Sequence, residues 1–219
     1  MQDYFNLKPT ALLHVIPGGS LNELAEAAET ILTDNTHLYE ETLDTKPNIV
    51  YVIGGLPDLT EKIRDRAYEE VIYNESTFTT TPKIIHTITT IADHIRHLNA
   101  IPCFATISPM SLDTWNNTRM QQGKTSYLLH HRQYPTMNYL LNETIMDINN
   151  EIMDINSGNN VITPNLAAQI IKKRGKDREH RIKYSKMVDG CHPTKDIITK
   201  WIQDLDRVTK SNRYLHNLQ

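Results

Sequence analysis

Four short, nearly unbroken apolar segments punctuate the chain: ALLHVI (Ala11–Ile16), NIVYVIGG (Asn48–Gly55), IPCFATI (Ile101–Ile107) and the weaker NNVIT (Asn159–Thr163). A strand with one wet face alternates apolar and polar residues, whereas a strand covered on both faces reads as a continuous apolar run. Helical patterns lie between these segments. Leu21–Leu32 follows the first, with Ser20 as N-cap and Glu23 at the capping-box position. Leu59–Val71 follows the second, and Lys83–Leu98, with Ile84, Ile88, Ile91 and Ile95 at helical spacing, precedes the third. Tyr134–Asn156 and Thr194–Val208 are two further helices. Strands alternating with helices predict an α/β fold, with a mostly parallel sheet and helices on both faces. In such sheets the loops after the strand C-termini carry the active site.

The length of 219 residues fits one domain, 1–219, with enough chain to bury a core without staples. Asn74–Pro82 and Asn116–Pro135 read as surface excursions, the second long enough for a lid or binding loop. Within Tyr134–Asn156 the sequence nearly repeats itself, TIMDINN then EIMDINS. Leu141, Ile145, Ile148, Ile152 and Ile155 form a stripe of period 3.5. The stripe reads as a helix packed on a sheet, or as the seam of a homodimer.

Charge is distributed unevenly. The net charge is −3, yet Lys172–Lys186 holds eight Lys/Arg against two acids; that run is +6, so the remainder is −9. Lys172, Lys173, Arg174, Lys176, Arg178 and Arg181 are therefore candidates to contact nucleic-acid phosphates or to steer an anionic substrate. The plainer account is a solvated face or loop. The two cysteines, Cys103 and Cys191, fall in no CxxC or Cys/His zinc pattern, so no metal is expected. His130-His131-Arg132 adds cationic potential without metal-ligand spacing, and His14, on an expected strand, reads as structural. No basic segment followed by a long apolar run opens the sequence, and no apolar run approaches the ~20 residues of a membrane span. The expectation is an intracellular protein, cytoplasmic or nuclear, with no membrane partner and no glycan at the sequons of Asn74, Asn116 and Asn142.

Three loops carry the residue types of a reaction centre: IPGGSLNEL (Ile16–Leu24), VIGGLPDLT (Val52–Thr60) and VDGCHPT (Val188–Thr194). Gly-Gly between a strand and a helix lets backbone N–H groups turn toward a phosphate or an oxyanion, although tight strand-to-helix turns also need glycine. Asp189 and His192 fit an acid that orients an imidazole base. The alternative is an Asp-Gly turn before a helix with Pro193 in its first turn. Cys191, Ser108 and Ser111 are other nucleophile candidates, with no motif behind them.

Taken together, these loops resemble the ordered blocks of the SGNH (GDSL-type) hydrolases over roughly Pro9 to Leu205. DGCHP is similar to the family's D-x-x-H block before the last helix, and VIGGLPD to its strand followed by G-x-N-D, matching at Gly55 and Asp58. IPCFATISP resembles the fourth strand. The likeness extends to esterase-type domains of some animal retroelement and virus-like reading frames. It implies a three-layer sandwich with a short flavodoxin-like sheet of four to five strands. It also implies a serine esterase or deacetylase acting on a small ester or acetylated substrate, without metal or organic cofactor. Ser20 would attack, His192 would take its proton and Asp189 would orient His192; the turn of Gly19 and Ser20, with Gly55, would supply oxyanion N–H groups.

Two departures stand beside the resemblance. The asparagine of G-x-N-D is Pro57 here, which has neither side-chain donor nor N–H. Losing one oxyanion donor costs ~100–1,000-fold in rate. PGGSLNEL can be read as the nucleophile block, with Ser20 as nucleophile, or as the second block, whose glycine lends an oxyanion N–H. Under the second reading the nucleophile is absent, and the domain is a non-catalytic binding or assembly module.

Overall fold

The computed structural model describes residues 19–34, 48–65, 68–74, 77–97, 100–173 and 180–216. Among these, the chain is mixed α/β. Its elements are α1 (Leu21–Asp34), β1 (Asn48–Val52), β2 (Thr60–Asp65), β3 (Tyr68–Tyr73), α2 (Thr77–His97), β4 (Ala100–Phe104), α3 (Leu112–Gln121), α4 (Tyr134–Gly158), β5 (Ile171–Lys173), β6 (His180–Ile182) and α5 (Lys195–His216). The apolar runs at 48 and 101 become β1 and β4, which pair in parallel with Val52 opposite Phe104. The expected strand at 11–16 lies outside the described residues.

Isoleucine spacing dictates how α2 packs. Ile84, Ile88, Ile91 and Ile95 recur at intervals of three and four, share one face, and are all at least 97% buried. Each such side chain contributes about 1.5–3 kcal/mol by leaving water. They join Leu21 of α1, Val52, Phe104 and the α4 residues Leu141, Ile145, Ile148 and Ile152 in one core. The α4 stripe is thus spent inside the protein, not left free as a homodimer seam. Ile170, Met187 and Ile197 form a second, smaller cluster beneath α5.

A ladder of asparagines locks the chain that leaves β4. The Asn156 carboxamide accepts from Phe104 N–H (2.9 Å) and donates to the Phe104 carbonyl (2.7 Å). Asn149 does the same to Ile107 (2.6 and 2.9 Å), and Asn142 to Met110 (3.1 and 2.9 Å). Asn138 accepts from Leu112 N–H at 2.7 Å. The match is geometric: seven helical residues advance about 10.5 Å, and three extended residues advance about 10 Å. A helix carrying Asn every seventh residue can therefore satisfy an antiparallel extended chain at every third residue. Beyond Phe104, the last residue of β4, this segment pairs with no strand among the described residues, and the side chains take the place of a ladder.

Four expectations change. Leu59–Val71 is not a helix but a hairpin, β2 and β3 in antiparallel register with Arg64 opposite Glu69. Its Glu, Lys and Arg residues favour helix by intrinsic propensity, but tertiary partners override them. Asn116 of α3 bonds both the N–H and the carbonyl of Val71 (2.9 and 2.7 Å), and buried Glu70 is held by Tyr134 and by His130 Nδ1. Asn159–Thr163 is a turn and an irregular stretch instead of a strand, because Asn212 of α5 takes the Ile162 N–H and carbonyl that a sheet would use. The excursion expected at 74–82 is helical from Thr77, and that at 116–135 is divided between α3 and a loop leading into α4. Among the described residues, the strand pairings are one parallel pair and two antiparallel pairs.

Candidate active site around Asp189 and His192

The segment Met187–Thr194 is a loop closed on itself. Val188 N–H donates to the His192 carbonyl (2.7 Å) and Thr194 N–H to the Lys186 carbonyl (2.9 Å), across a bridge between Met187 and Pro193. Asp189 organises its interior. One carboxylate oxygen accepts the backbone N–H groups of Cys191 (3.1 Å) and His192 (2.8 Å), and the other meets His192 Nδ1 at 2.7 Å. Burial pushes the Asp189 carboxyl up, but hydrogen bonds from the His192 ring and from the two backbone N–H groups outweigh it. The pKa ends below its ordinary value. An ionised carboxylate only accepts, so Nδ1 carries the proton and the lone pair of a neutral ring is on Nε2. This is the tautomer of a general base, on a side chain 58% exposed.

Gly190 lets this loop dock. It has φ +87°, and a Cβ there would lie 2.6 Å from the Ser111 carbonyl oxygen. Its own carbonyl accepts Ser111 N–H at 2.8 Å. The docking brings His192 against Trp115 of α3, with ring centroids 5.5 Å apart, and the Arg119 guanidinium sits over the same indole at 5.6 Å. Neither Trp115 nor Arg119 carries a sequence motif, and the place of Trp115 beside His192 depends on α3, far along the chain.

The Ser20 loop is positioned differently. Ser20 Oγ donates to Glu23 Oε2 (2.9 Å) and accepts Glu23 N–H (3.3 Å), while Ser20 N–H donates to the same carboxylate at 2.7 Å. This is the capping box expected from the sequence. It occupies the Ser20 N–H that was a candidate oxyanion donor. Those bonds hold the exposed Glu23 carboxyl below its usual pKa. Leu21 N–H is taken by Asp58, at 3.0 Å to one oxygen; burial raises the pKa of Asp58 against that bond. The GGSL and GGLPD loops are thus joined. Gly55, φ +104°, lies under Ile107, where a Cβ would come 2.8 Å from the Ile107 Cδ1. Gly19 is buried beside Ser20, and Pro57 is exposed in a short 3₁₀ turn.

The structure therefore brings Asp189 to His192, Ser20 to Glu23 and Leu21 to Asp58. Among the described residues, the hydrogen bonds of Ser20 Oγ go to Glu23 and not to His192. Other nucleophile candidates are poorly placed. Ser111 is buried and caps α3 through Thr114 (3.2 Å to its N–H), and Ser108 Oγ turns to the Pro109 carbonyl. Burial, reinforced by Asp189, pushes the Cys191 thiol up to about 12, so almost no thiolate exists at neutral pH. Of the basic run, Arg174, Lys176 and Arg178 lie outside the described residues; Lys172, Lys173 and Arg181 are described as backbone of β5 and β6. No group of three or more His, Cys, Asp or Glu side chains suited to a metal occurs among the described residues, and no described helix is long and apolar enough to cross a membrane. No protein-family model matches the chain, and no curated protein matches it.

Proposed function

We propose that the chain is an SGNH-type hydrolase-like domain in which Asp189 and His192 activate a hydroxyl toward an ester or acetyl carbonyl. The observation that carries this reading is the 2.7 Å contact of Asp189 with His192 Nδ1, which leaves an exposed Nε2 as base. In the proposed reaction Ser20 Oγ attacks the carbonyl carbon, and Nε2 takes its proton and returns it to the leaving alcohol. Water then cleaves the acyl-enzyme by the same route. Ser20 must first turn from Glu23, a rotation about its χ1. Gly55 and Gly19 are the backbone donors for the oxyanion, in a hole that lacks the side chain Pro57 cannot supply. The accompanying fold proposal is a three-layer, flavodoxin-like arrangement built outward from the β1–β4 pair.

Fluorophosphonate labelling tests the mechanism. The wild type is expected to be labelled, and Ser20→Ala and His192→Ala are each expected to abolish labelling. Undiminished labelling of Ser20→Ala would remove Ser20 from the mechanism, and an unlabelled wild type would remove the hydrolase.

The engagement of Ser20 in its capping box favours a second reading, a non-catalytic module with Asp189 and His192 as a structural pair. In that case the Lys172–Lys186 run contacts nucleic acid. Retention on immobilised RNA or DNA should then weaken steeply with salt, and no salt-dependent retention would exclude it.

A further inference from the structure

We propose that the β2–β3 hairpin holds an oxyanion, a phosphate or carboxylate borne by the substrate, through Lys62 and Arg64. Residues two apart on a strand share a face, so Lys62 and Arg64 project together, and Glu69 lies opposite Arg64 in the register. The Glu69 carboxylate receives Lys62 Nζ at 3.1 Å, Arg64 Nε at 2.7 Å and the guanidinium of Arg119. Among the described residues, the Glu69 carboxylate alone meets these three cations, and the surplus is positive. The neighbouring acid does not correct it, because Glu70 points to the other face of the hairpin, where it is buried against Tyr134 and His130. Burial, then repulsion from Arg64 and Arg119, holds Lys62 below the ordinary lysine pKa.

Two further features tie the cluster to a ligand and to the dyad. Trp115 Nε1 and Arg119 Nε are buried donors, and Glu69 Oε1 a buried acceptor, without a hydrogen-bond partner among the described residues, an uncommon state for native polar groups. Arg119 also links the cluster to His192 through Trp115, in ring-to-group steps of 5.6 and 5.5 Å. Lys62 and Arg64 side chains are 44% and 68% exposed, so an anion reaches them without unfolding the hairpin. An arginine fork and an ammonium group bind phosphate and carboxylate oxygens with charge-assisted hydrogen bonds. The catalytic consequence rests on the hydrolase reading: the preferred ester is one whose acyl or alcohol part is anionic, held at one end by the hairpin while His192 serves the other.

The test uses the full chain and two readouts. Sodium phosphate and sodium succinate are titrated at fixed ionic strength while the indole N–H signals of the two tryptophans, Trp115 and Trp201, are followed by NMR. A saturable shift of Trp115 alone, weakened about tenfold or more in the Lys62→Gln/Arg64→Gln double variant, is the expected result. Glu69 keeps Arg119 in that variant, and the single Arg64→Gln variant, expected to be intermediate, serves if the double variant is unstable. No saturable shift, or equal affinity in the variants, overturns the proposal. In the second readout, kcat/KM for 4-acetoxybenzoate relative to neutral phenyl acetate should fall in the double variant; an unchanged ratio overturns the substrate preference. If neither ester is cleaved, the hydrolase reading fails, and the anion titration still decides this one.

Discussion

Asp58 and Asp189 show how two aspartates of similar exposure acquire opposite dependences on pH. Asp189 is lowered by donors that need its charge, so its native form releases the proton before the unfolded chain does. The stability it adds is present above the ordinary aspartate pKa and is lost as pH falls through that range. Asp58 is raised by burial, its native form holds the proton longer, and its contribution improves on acidification. Asp189→Asn should therefore cost about 1–2 kcal/mol at neutral pH and progressively less toward about pH 3. Asp58→Asn, which keeps an acceptor for Leu21 N–H, should compare best with the wild type at neutral pH and lose that advantage in acid. Urea unfolding at the two pH values measures both; the same sign for both variants would contradict the assignment. Asp189→Asn also presents an amide to Nδ1, which moves the ring proton to Nε2 and should abolish probe labelling even where the fold survives.

The Asp189–His192 pair was legible in the sequence because its contacts are local, three residues apart, around a turn glycine. The capping box of Ser20 and Glu23 was legible for the same reason. The partners of each were not. Trp115 meets His192, and carries Arg119 on its ring, only because Gly190 docks on the start of α3, and the three cations around Glu69 come from β2 and α3. Spacing along a chain says nothing of contacts made by elements so far apart.

At the scale of the element, the asparagine ladder explains a pattern that periodicity alone leaves unassigned. The repeat TIMDINN/EIMDINS carries two signals, isoleucines at 3.5-residue spacing and asparagines at seven. The first marks the buried face of α4. The second aligns Asn142, Asn149 and Asn156 with the chain after β4, a role visible only once that chain is known to be extended. Asn149 is almost fully buried, and Asn149→Leu would leave the Ile107 N–H and carbonyl without partners at a similar side-chain volume. Each orphaned group costs about 1–3 kcal/mol, so a loss of roughly 2–6 kcal/mol is expected in urea denaturation. A loss below about 0.5 kcal/mol, the range of ordinary surface substitutions, would mean that water replaces the carboxamide and that the ladder does not hold the segment. The misread hairpin belongs to this scale as well. Leu59–Val71 has the composition of a helix, and it is a hairpin because Asn116, Tyr134 and His130 supply partners from elsewhere.

For the whole molecule, the decisive question is where the α4 stripe is buried. The β1 and β4 strands, the α2 isoleucines and the existence of four of the five described helices could be read from apolar spacing, because each pattern reports the face that meets the core. The same pattern does not say whether that core belongs to one chain or two. Ile148 is completely buried against the chain's own core, so an aspartate there would place an unpaired carboxylate in an apolar interior, a change costing several kcal/mol. Ile148→Asp should accordingly abolish the cooperative thermal transition seen by circular dichroism and leave no native population to associate. A homodimer seam predicts otherwise: a protein that keeps its transition while its sedimenting mass halves relative to the wild type. Tyr139 and Leu140, exposed on the same helix, provide the control. Tyr139→Asp should leave both the transition and the mass unchanged, because that face of α4 has no part in the core that specifies the fold.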